Sequence, residues 1–414
     1  MSKIRIKNFG PIKEGYLEYD GWLDIKKVTV FIGNQGSGKS TVAKLISTMS
    51  WLEKAYYRGD LIGEKMTAKE FVDEKCAYHR INNYITEKTE IHYKGDLFTI
   101  FYKNDTLEVY PTSENRIYGV PKIMYVPAER NFLSVVEEAD NIEGLPMPIY
   151  TFNTEFSRSK KEINKQHIEL PISKLKFKYD SRTETSQIIG EDYNVHLSEA
   201  SSGLQSAVPL YLVSRNIAHS ISERRKDNSK MNISLRQSLR KELEIFDVIN
   251  DKKLSEVEKK EKIEQIEEKF TYKCFINIVE EPEQNLFPSS QQQILNCLLE
   301  FNNMNEGNKL IMTTHSPYLI NYLTHAVKAS MILDKMDNSN KKIELRSKLE
   351  EIVPINSVVG KEDWIVYELN EVDGTIIKLK DYKGLPSDAN YLNERMAEGN
   401  EIFGKLLDIE DLCQ

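Results

Sequence analysis

A glycine-rich segment with one lysine and two hydroxyl residues is the part of the sequence best suited to phosphate chemistry. Gly33 and Gly38 bracket four residues, and Lys39 follows. Ser40 and Thr41 come next and complete the pattern G-x-x-x-x-G-K-[ST]. In such a loop the backbone N–H groups surround the phosphates, the lysine reaches the terminal phosphates, and the first hydroxyl binds Mg²⁺. The predicted nucleotide-binding residues are Gly33, Asn34, Gln35, Gly36, Ser37, Gly38, Lys39, Ser40 and Thr41.

The residues around this loop predict the context that it requires. Residues 27–32 are rich in β-branched and aromatic side chains and predict a buried strand. After the loop, apolar side chains recur at helical spacing, at Val42, Leu45, Ile46 and Met49. A strand, a glycine turn and a helix N-terminus together form an anion site. The sequence therefore predicts that the chain binds ATP or GTP.

Two adjacent carboxylates follow a second predicted strand, which spans residues 275–279. ATP hydrolysis at a phosphate loop requires acidic side chains on a neighbouring strand, to hold Mg²⁺ and to orient the attacking water. We expect Glu280 to hold Mg²⁺, directly or through water, and Glu281 to polarise the attacking water. The alternative is a polar loop with no catalytic role.

His315 ends the next predicted strand, which begins at Leu310. A histidine at this place can contact the γ-phosphate and couple it to closure over the nucleotide. The alternative is a loop histidine beside the start of a helix, because Ser316 and Pro317 are typical of a helix N-terminus.

A second anion-binding helix N-terminus is predicted near residue 200. Ser201, Ser202 and Gly203 open a helix that continues through Gln205. One nucleotide needs only one such cradle, so the second is most simply explained if it faces the nucleotide of another subunit. The alternative is an ordinary serine N-cap.

The composition fits a protein of a reducing cytoplasm. Four scattered cysteines match neither a disulfide framework nor a zinc site. We expect no signal peptide, and no apolar run is long enough to span a membrane. The formal net charge of −8 does not indicate a nucleic-acid binder. Residues 361–414 carry 13 acidic and 6 basic side chains, a net charge of −7, and suit a protein contact.

The chain divides into four predicted parts. Residues 1–215 form the first part of an ATPase head, with the phosphate loop, an antiparallel β-meander and the serine-glycine motif. Residues 216–270 form a charged helical hairpin, and residues 271–360 complete the head. Residues 361–414 form an acidic β-hairpin and helix that are a candidate partner-docking region. Within the head, residues 137–186 show little pattern and predict only mixed helix and loop.

The order of these motifs resembles that of ABC-type ATPase heads. Glu-Glu-Pro-Glu at 280–283, Ser-Ser-Gly at 201–203 and Val-Pro-Ala-Glu-Arg at 126–130 resemble the overcoming-lysogenization-defect group of bacterial ATPases. Residues 6–12 are similar to the opening of those proteins and of RecF and SMC proteins. The resemblance implies an α/β fold: a P-loop NTPase head of the ABC type with a mixed sheet, flanking helices, an antiparallel β subdomain and an inserted helical hairpin.

The resemblance also implies roles for the motif residues. Lys39, Ser40 and Thr41 would bind phosphate and Mg²⁺, and His315 would be the switch residue. Ser201, Ser202 and Gly203 would act in trans on the γ-phosphate of a second head, and Gln205 is a further predicted nucleotide-binding residue. Glu129 and Arg130 stand roughly where the family has a glutamine-containing loop, and Arg130 either contacts the nucleotide or braces its loop. Glu280 replaces the commoner aspartate and is one methylene longer, which implies indirect Mg²⁺ contact and slow hydrolysis.

Full-length members of that group continue into a Toprim nuclease domain, which needs a glutamate and a later Asp-x-Asp. After Tyr318 the acidic clusters are those at 371–373 and 408–411, and the first is typical of a hairpin turn. The sequence therefore predicts an ATPase head without its nuclease. It is similar to the ATPase subunits of PARIS anti-phage systems, which work with a separate Toprim-type nuclease.

This resemblance implies an ATP-dependent sensor and scaffold that assembles through head-to-head dimers. It would hold the nuclease inactive and release it when a phage protein, such as an anti-restriction DNA mimic, is sensed. Two alternatives stay open at this point: a DNA-repair or chromosome-organising ATPase of the RecF or SMC kind, and a transporter nucleotide-binding subunit. Direct nucleic-acid binding is also left open by the sequence.

Overall fold

A computed structural model describes most of the 414 residues. The described ranges are 2–61, 66–112, 118–136, 142–163, 166–224, 235–336 and 341–412. The side chains of residues 224 and 235–237 lie outside the described part, as does Cys413.

The strands fall into three larger sheets and one small ribbon. In chain order they are β1 (Ser2–Lys7), β2 (Gly15–Tyr16), β3 (Leu23–Ile25), β4 (Val28–Gly33), β5 (Glu90–Lys94), β6 (Phe98–Lys103), β7 (Thr106–Pro111), β8 (Pro121–Val126), β9 (His167–Glu169), β10 (Lys176–Asp180), β11 (Thr185–Ile189), β12 (Asn194–His196), β13 (Cys274–Glu280), β14 (Lys309–Thr313), β15 (Trp364–Leu369), β16 (Thr375–Lys378), β17 (Asp381–Tyr382) and β18 (Leu385–Pro386).

The helices cover both faces of the largest sheet. They are α1 (Lys39–Arg58), α2 (Ala68–Glu70), α3 (Phe132–Val135), α4 (Met147–Ile163), α5 (Ser202–Arg224), α6 (Leu235–Asn250), α7 (Glu256–Phe270), α8 (Pro288–Asn303), α9 (Pro317–Met336), α10 (Lys342–Glu350) and α11 (Tyr391–Leu412). Among the described helices, none is both long and apolar enough to cross a membrane.

The central sheet has the strand order β2-β16-β15-β4-β14-β13-β8. The strands from β15 to β8 are all parallel, and β16 pairs antiparallel with β15. Every residue of β4 is buried, because both faces of the sheet are covered. Val30 and Ile32 face a core shared with α5, α8 and α9, whereas Phe31 faces a second core with α1. The predicted α/β fold class with a phosphate loop in a mixed sheet is confirmed.

A five-stranded antiparallel sheet, β3-β1-β5-β6-β7, packs beside α1. Its last three strands are the predicted β-meander. Glu53 of α1 joins the two layers, because it accepts hydrogen bonds from the Tyr93 hydroxyl at 3.1 Å and from the Leu97 N–H at 2.7 Å.

The region 137–186 is more ordered than the sequence pattern indicated. It contains the 17-residue helix α4 and three strands, β9, β10 and the start of β11, which join β12 in a four-stranded antiparallel sheet. Residues 137–141 and 164–165 lie outside the described part. The expectation of mixed helix and loop was therefore incomplete. The strands are only three to five residues long, which left little room for an alternating pattern.

The predicted helical hairpin is present as α6 and α7. Its base is attached to the end of α1: the Arg240 guanidinium bonds the Asp60 carboxylate and the Arg58 carbonyl, each at 3.0 Å. Arg58 in turn donates to the Lys269 carbonyl at 2.9 Å. Away from this base, α6 leaves an apolar stripe exposed, at Leu239, Leu243, Phe246 and Ile249.

The C-terminal β-hairpin is β15 and β16, as predicted, and it is part of the central sheet. β15 pairs with β4, so it lies directly beside the strand that leads into the phosphate loop. Beyond it, no described residue of α11 is buried. Among the described residues of 361–414, α11 is therefore the long element with no buried side chain, and its first residue is attached to β15 by the hydrogen bond from the Tyr391 N–H to Glu368 at 2.7 Å.

Candidate nucleotide site

Sheet order brings the three predicted motifs to one edge. β4, β14 and β13 are parallel neighbours, with Thr313 opposite Phe31 and Glu280. Because the carboxyl ends of parallel strands meet at one edge, the phosphate loop, His315 and the two glutamates lie together there. The structure thus places residues from three distant parts of the chain around one site.

The phosphate loop needs its glycines because two of them have no room for a side chain. Gly33 has φ of 142°, and a Cβ there would lie 2.4 Å from the Leu369 carbonyl oxygen. Gly38 has φ of 99°, and its Cβ would lie 2.6 Å from the Ile12 side chain. Both values of φ belong to a region that favours glycine.

The loop has hydrogen-bond donors suited to an anion, and no described side chain supplies that anion. Gly38 caps α1 without a side-chain hydrogen bond, so the N-terminal N–H groups of this 20-residue helix face outward from it. The Ser37 hydroxyl is buried and has no hydrogen-bond partner among the described residues. Asn34 is held in place from outside the loop, since its amide donates to Glu371 at 2.9 Å. A phosphate group would satisfy both the helix terminus and Ser37.

Lys39 lies folded back on the loop. Its ammonium group donates to the Gly33 carbonyl at 2.9 Å and to the Asn34 carbonyl at 2.8 Å, and the residue is 5% exposed. Burial lowers the pKa of Lys39 to about 8, against the opposing charges of Glu281 and other nearby carboxylates. The ammonium is thus a buried positive charge with two neutral partners, which a phosphate would replace with a charged one.

Glu280 is occupied by contacts that the sequence did not indicate. The Tyr125 hydroxyl donates to one carboxylate oxygen, and the Ala128 N–H donates to the other at 3.3 Å. The residue is 5% exposed. Burial, and then the charge of Glu280, raise the pKa of Tyr125 well above its usual value, so the phenol stays a donor. This arrangement favours a water-mediated contact between Glu280 and Mg²⁺ over a direct one.

Glu281 faces the site from a strained backbone. Its φ is 44°, and its N–H donates to the Thr313 carbonyl at 2.9 Å. One carboxylate oxygen lies 3.6 Å from His315 Nε2. Burial and the charge of Glu280 raise the pKa of Glu281. Burial and the charge of Lys39 lower the pKa of His315, which keeps the imidazole neutral. A carboxylate and a neutral imidazole at this spacing can together orient a water molecule.

Glu283 is a site residue that sequence reasoning missed. One of its carboxylate oxygens accepts from the Thr314 hydroxyl and from the His315 N–H, both at 2.7 Å. The other oxygen is buried without a partner among the described residues. Burial raises the pKa of Glu283. The side chain therefore fixes the backbone of His315, and its place in the Glu-Glu-Pro-Glu motif was the signal that could have found it.

Replacing Glu283 by glutamine tests this bracing role. The amide oxygen can accept both bonds but carries no charge, so the bonds to Thr314 and His315 lose their charge assistance, and we expect a modest loss of hydrolysis, about 3–10-fold, the range of a weakened hydrogen bond. Nucleotide affinity should change little. Steady-state phosphate release and equilibrium nucleotide binding check this. Turnover equal to that of the wild type would show that the contact to His315 does not matter.

The residues that the sequence predicts to hold Mg²⁺ are Ser40, through its hydroxyl, and Glu280, directly or through water. No group of three His, Cys, Asp or Glu side chains that could hold a metal occurs among the described residues. At a nucleotide site Mg²⁺ takes one or two protein ligands and completes its shell with phosphate oxygens and waters.

The second helix N-terminus lies against the acidic segment that follows β13. Ser201 and Ser202 are exposed, and no hydrogen bond of the described residues joins them to the phosphate loop. The Gln205 amide donates to the Ser198 carbonyl at 2.8 Å. Gly203 packs against the acidic segment, where an added Cβ would lie 2.7 Å from the Asn285 carbonyl oxygen. The start of α5 is thus open to another molecule.

Arg130 is placed as a brace. It is completely buried, and its guanidinium donates to backbone carbonyls, those of Pro127, Ser206, Glu280 and Glu281. Of the two roles that the sequence left open, contact with nucleotide or support of the loop, this geometry favours support.

The solved structures that this chain resembles do so at low TM-scores and low identity. The SMC head domain from Thermotoga maritima covers 92% of this chain and 98% of its own, with a TM-score of 0.37 and 11% identity. A dimeric ATP-binding cassette with bound ADP and Pi covers 92% and 100%, with a TM-score of 0.31 and 12% identity. A dimeric bacterial ABC transporter cassette covers the same shares, with a TM-score of 0.24 and 10% identity.

No family model matches the chain, and no curated protein matches it. The similarity to the solved structures is too low to carry an argument about residues or partners. The assignment of an ABC-type P-loop ATPase fold agrees with the sheet order and the phosphate loop.

Proposed function

We propose that this chain is an ATPase head that binds ATP with Mg²⁺ and hydrolyses it slowly. The observation that supports this is the meeting of Lys39, Glu281 and His315 at one sheet edge. Lys39 and the loop N–H groups would bind the phosphates, and Glu281, at 3.6 Å from His315, would polarise the attacking water. The occupied carboxylate of Glu280 supports slow turnover, because it must hold Mg²⁺ through water.

We further propose that two heads share each nucleotide site. Ser201 and Ser202 are exposed at the start of a 23-residue helix, yet they make no hydrogen bond to the chain's own phosphate loop. A helix N-terminus attracts negative charge, so a γ-phosphate presented by a second copy would satisfy it. The assembly would then be a head-to-head homo-oligomer.

The wider role that we propose is a sensor and scaffold in an anti-phage defence system, of the kind found in PARIS. The chain would hold a separate Toprim-type nuclease and release it when a phage protein binds. The support is the resemblance of the motifs at 126–130, 201–203 and 280–288, together with the charge and exposure of α11. A trigger would act by binding the two states of the assembly unequally.

We propose α11 as the surface that holds the nuclease. Its apolar side chains are exposed, with Ile402 at 59%, Phe403 at 62% and Leu406 at 57%. From residue 391 to 412 there are six acidic and two basic side chains, so two copies of α11 would repel one another. On α6, Arg240 and Lys241 are already in ion pairs. Charge therefore favours a separate partner with a basic rim around an apolar surface.

The experiment is co-expression of the chain with its nuclease and native mass spectrometry of the purified complex. We expect Phe403→Ser with Leu406→Ser to lose the nuclease while ATP hydrolysis stays unchanged. A matched control replaces Leu243 and Phe246 of the α6 stripe by serine and should keep the nuclease. Retention of the nuclease by the α11 variant would contradict the proposal. So would a smaller homo-oligomer in that variant, because α11 would then bind another copy of the chain.

A further inference from the structure

The Arg130 side chain joins three separate segments of the chain. Its Nε donates to the Ser206 carbonyl at 3.1 Å, in the first turns of α5. One terminal nitrogen donates to Pro127 at 3.2 Å and to the Glu280 carbonyl at 2.7 Å, and the other to the Glu281 carbonyl at 2.7 Å. The guanidinium thus links the loop after β8, the start of α5 and the end of β13.

These bonds make Arg130 a fixed part of the interior. The residue is 0% exposed, and burial lowers its pKa to about 10 against the opposing charges of Glu283, Glu281 and Glu280, so it remains charged at neutral pH. A buried charge is costly to move, because every hydrogen bond that it leaves behind must be replaced. Arg130 would have to give up its carbonyl partners in order to reach a nucleotide.

Further contacts attach the start of α5 to the acidic segment. The Asn285 amide donates to the Ser206 hydroxyl at 3.2 Å. Gly203 lies so close to Asn285 that a Cβ would be 2.7 Å from its carbonyl oxygen. From the other side, the Ser134 hydroxyl donates to the Gln205 carbonyl at 2.7 Å. The start of α5 and residues 280–286 are therefore joined by several contacts, with Arg130 at their centre.

We infer that Arg130 is a positioning residue that couples the two nucleotide sites of a two-headed assembly. The inference rests on the proposed function, in which Glu281 serves the head's own nucleotide and Ser201 and Ser202 serve the nucleotide of the second head. Since Arg130 fixes Glu281 and α5 to each other, contact of α5 with the second nucleotide constrains Glu281 at the first. Binding at one site is then linked to catalysis at the other.

The test compares wild type with Arg130→Met, which keeps the length of the side chain, and Arg130→Lys, which keeps the charge. Phosphate release is measured against ATP concentration, and nucleotide affinity is measured separately. Wild type should be cooperative. Arg130→Met should lose cooperativity and about 5–150-fold in turnover, the range of typical coupling energies, while ATP affinity changes little. Arg130→Lys should recover part of the turnover. Arg158→Met, at a partly exposed arginine of α4, is the matched control and should behave like wild type.

Each outcome separates the inference from the proposed function. If wild type forms no ATP-dependent pair by native mass spectrometry, the proposed two-headed site is wrong. If wild type pairs and is cooperative, and Arg130→Met is equally cooperative, the coupling role is wrong and the two-headed site stands. Loss of ATP binding with unchanged melting temperature would make Arg130 a nucleotide ligand and overturn the inference.

A milder variant applies if Arg130→Met does not fold. Ser206→Ala removes the hydroxyl that Asn285 contacts and leaves the carbonyl that Arg130 contacts. It should lower cooperativity with less loss of turnover than Arg130→Met. Unchanged cooperativity in Ser206→Ala, together with wild-type stability, would count against coupling between the start of α5 and residues 280–286.

Discussion

Glu281→Gln is expected to bind ATP normally and to lose nearly all turnover. The amide matches the carboxylate in size but cannot accept a proton from the attacking water. A general base contributes about 10²–10⁴-fold to a rate, and we expect a loss in kcat of that order. ATP affinity should be nearly unchanged, because in the proposed site Glu281 acts on the attacking water and does not hold the phosphates. Single-turnover phosphate release and equilibrium binding of ATP measure the two quantities.

The pH profile adds a second readout to this variant. Burial and the charge of Glu280 raise the pKa of Glu281, and only the deprotonated carboxylate can act as a base. Wild-type turnover should therefore begin to fall with acidification at a higher pH than an exposed glutamate would give. Glu191→Gln, at an exposed acid in the turn between β11 and β12, is the control and should keep wild-type turnover. Normal turnover in Glu281→Gln would remove Glu281 from the catalytic assignment.

The local parts of the site were predictable because their signals lie within a few residues. The phosphate loop requires glycine where φ is positive and where no Cβ fits. The sequence has glycine at both such positions, Gly33 and Gly38. The strand before it and the helix after it have clear periodicity. The parallel order of β4, β14 and β13 then puts the ends of three separate predicted strands together.

The contacts that hold the site residues in position were not predictable, because they join residues that are far apart in the sequence. Tyr125 and Glu280 are 155 residues apart and meet only because β8 lies beside β13. Arg130 reaches Ser206 and Glu280 through the same arrangement. In sequence, Tyr125 is one aromatic residue in an apolar strand, and nothing local distinguishes a core phenol from one that occupies a catalytic carboxylate.

The pairing of β15 with β4 gives the C-terminal segment a structural role that its sequence did not indicate. The sequence predicts the hairpin of β15 and β16 from its turn, but it gives no sign that β15 pairs with β4. This pairing places Glu371 beside the phosphate loop, where it holds Asn34. The acidic pair at 371–373 thus has a structural role near the nucleotide site, and the predicted turn at Asp373 has its expected hydrogen bonds to Thr375.

Lys39→Ala is expected to weaken ATP binding by about 10–100-fold, which corresponds to the loss of a charged hydrogen bond of roughly 1.5–3 kcal/mol. The ammonium is already beside the phosphate position, held by the Gly33 and Asn34 carbonyls. Alanine removes the charge and leaves both carbonyls without this donor. Equilibrium binding of a non-hydrolysed ATP analogue measures the effect. Lys44→Ala, on the same helix but beyond the loop, should bind the analogue like wild type.

The pH dependence of binding identifies the charge of Lys39 as the cause. Burial lowers the pKa of Lys39 to about 8, so in the free protein the amine is charged below that pH and neutral above it. Phosphate favours the charged form, and binding above pH 8 must therefore take up a proton. Wild-type affinity should fall as pH rises through that value, by at most about tenfold per pH unit. Lys39→Ala should lack this fall. Equal slopes in the two proteins would assign the dependence to another group and leave Lys39 without its proposed role as the charge that binds the phosphates.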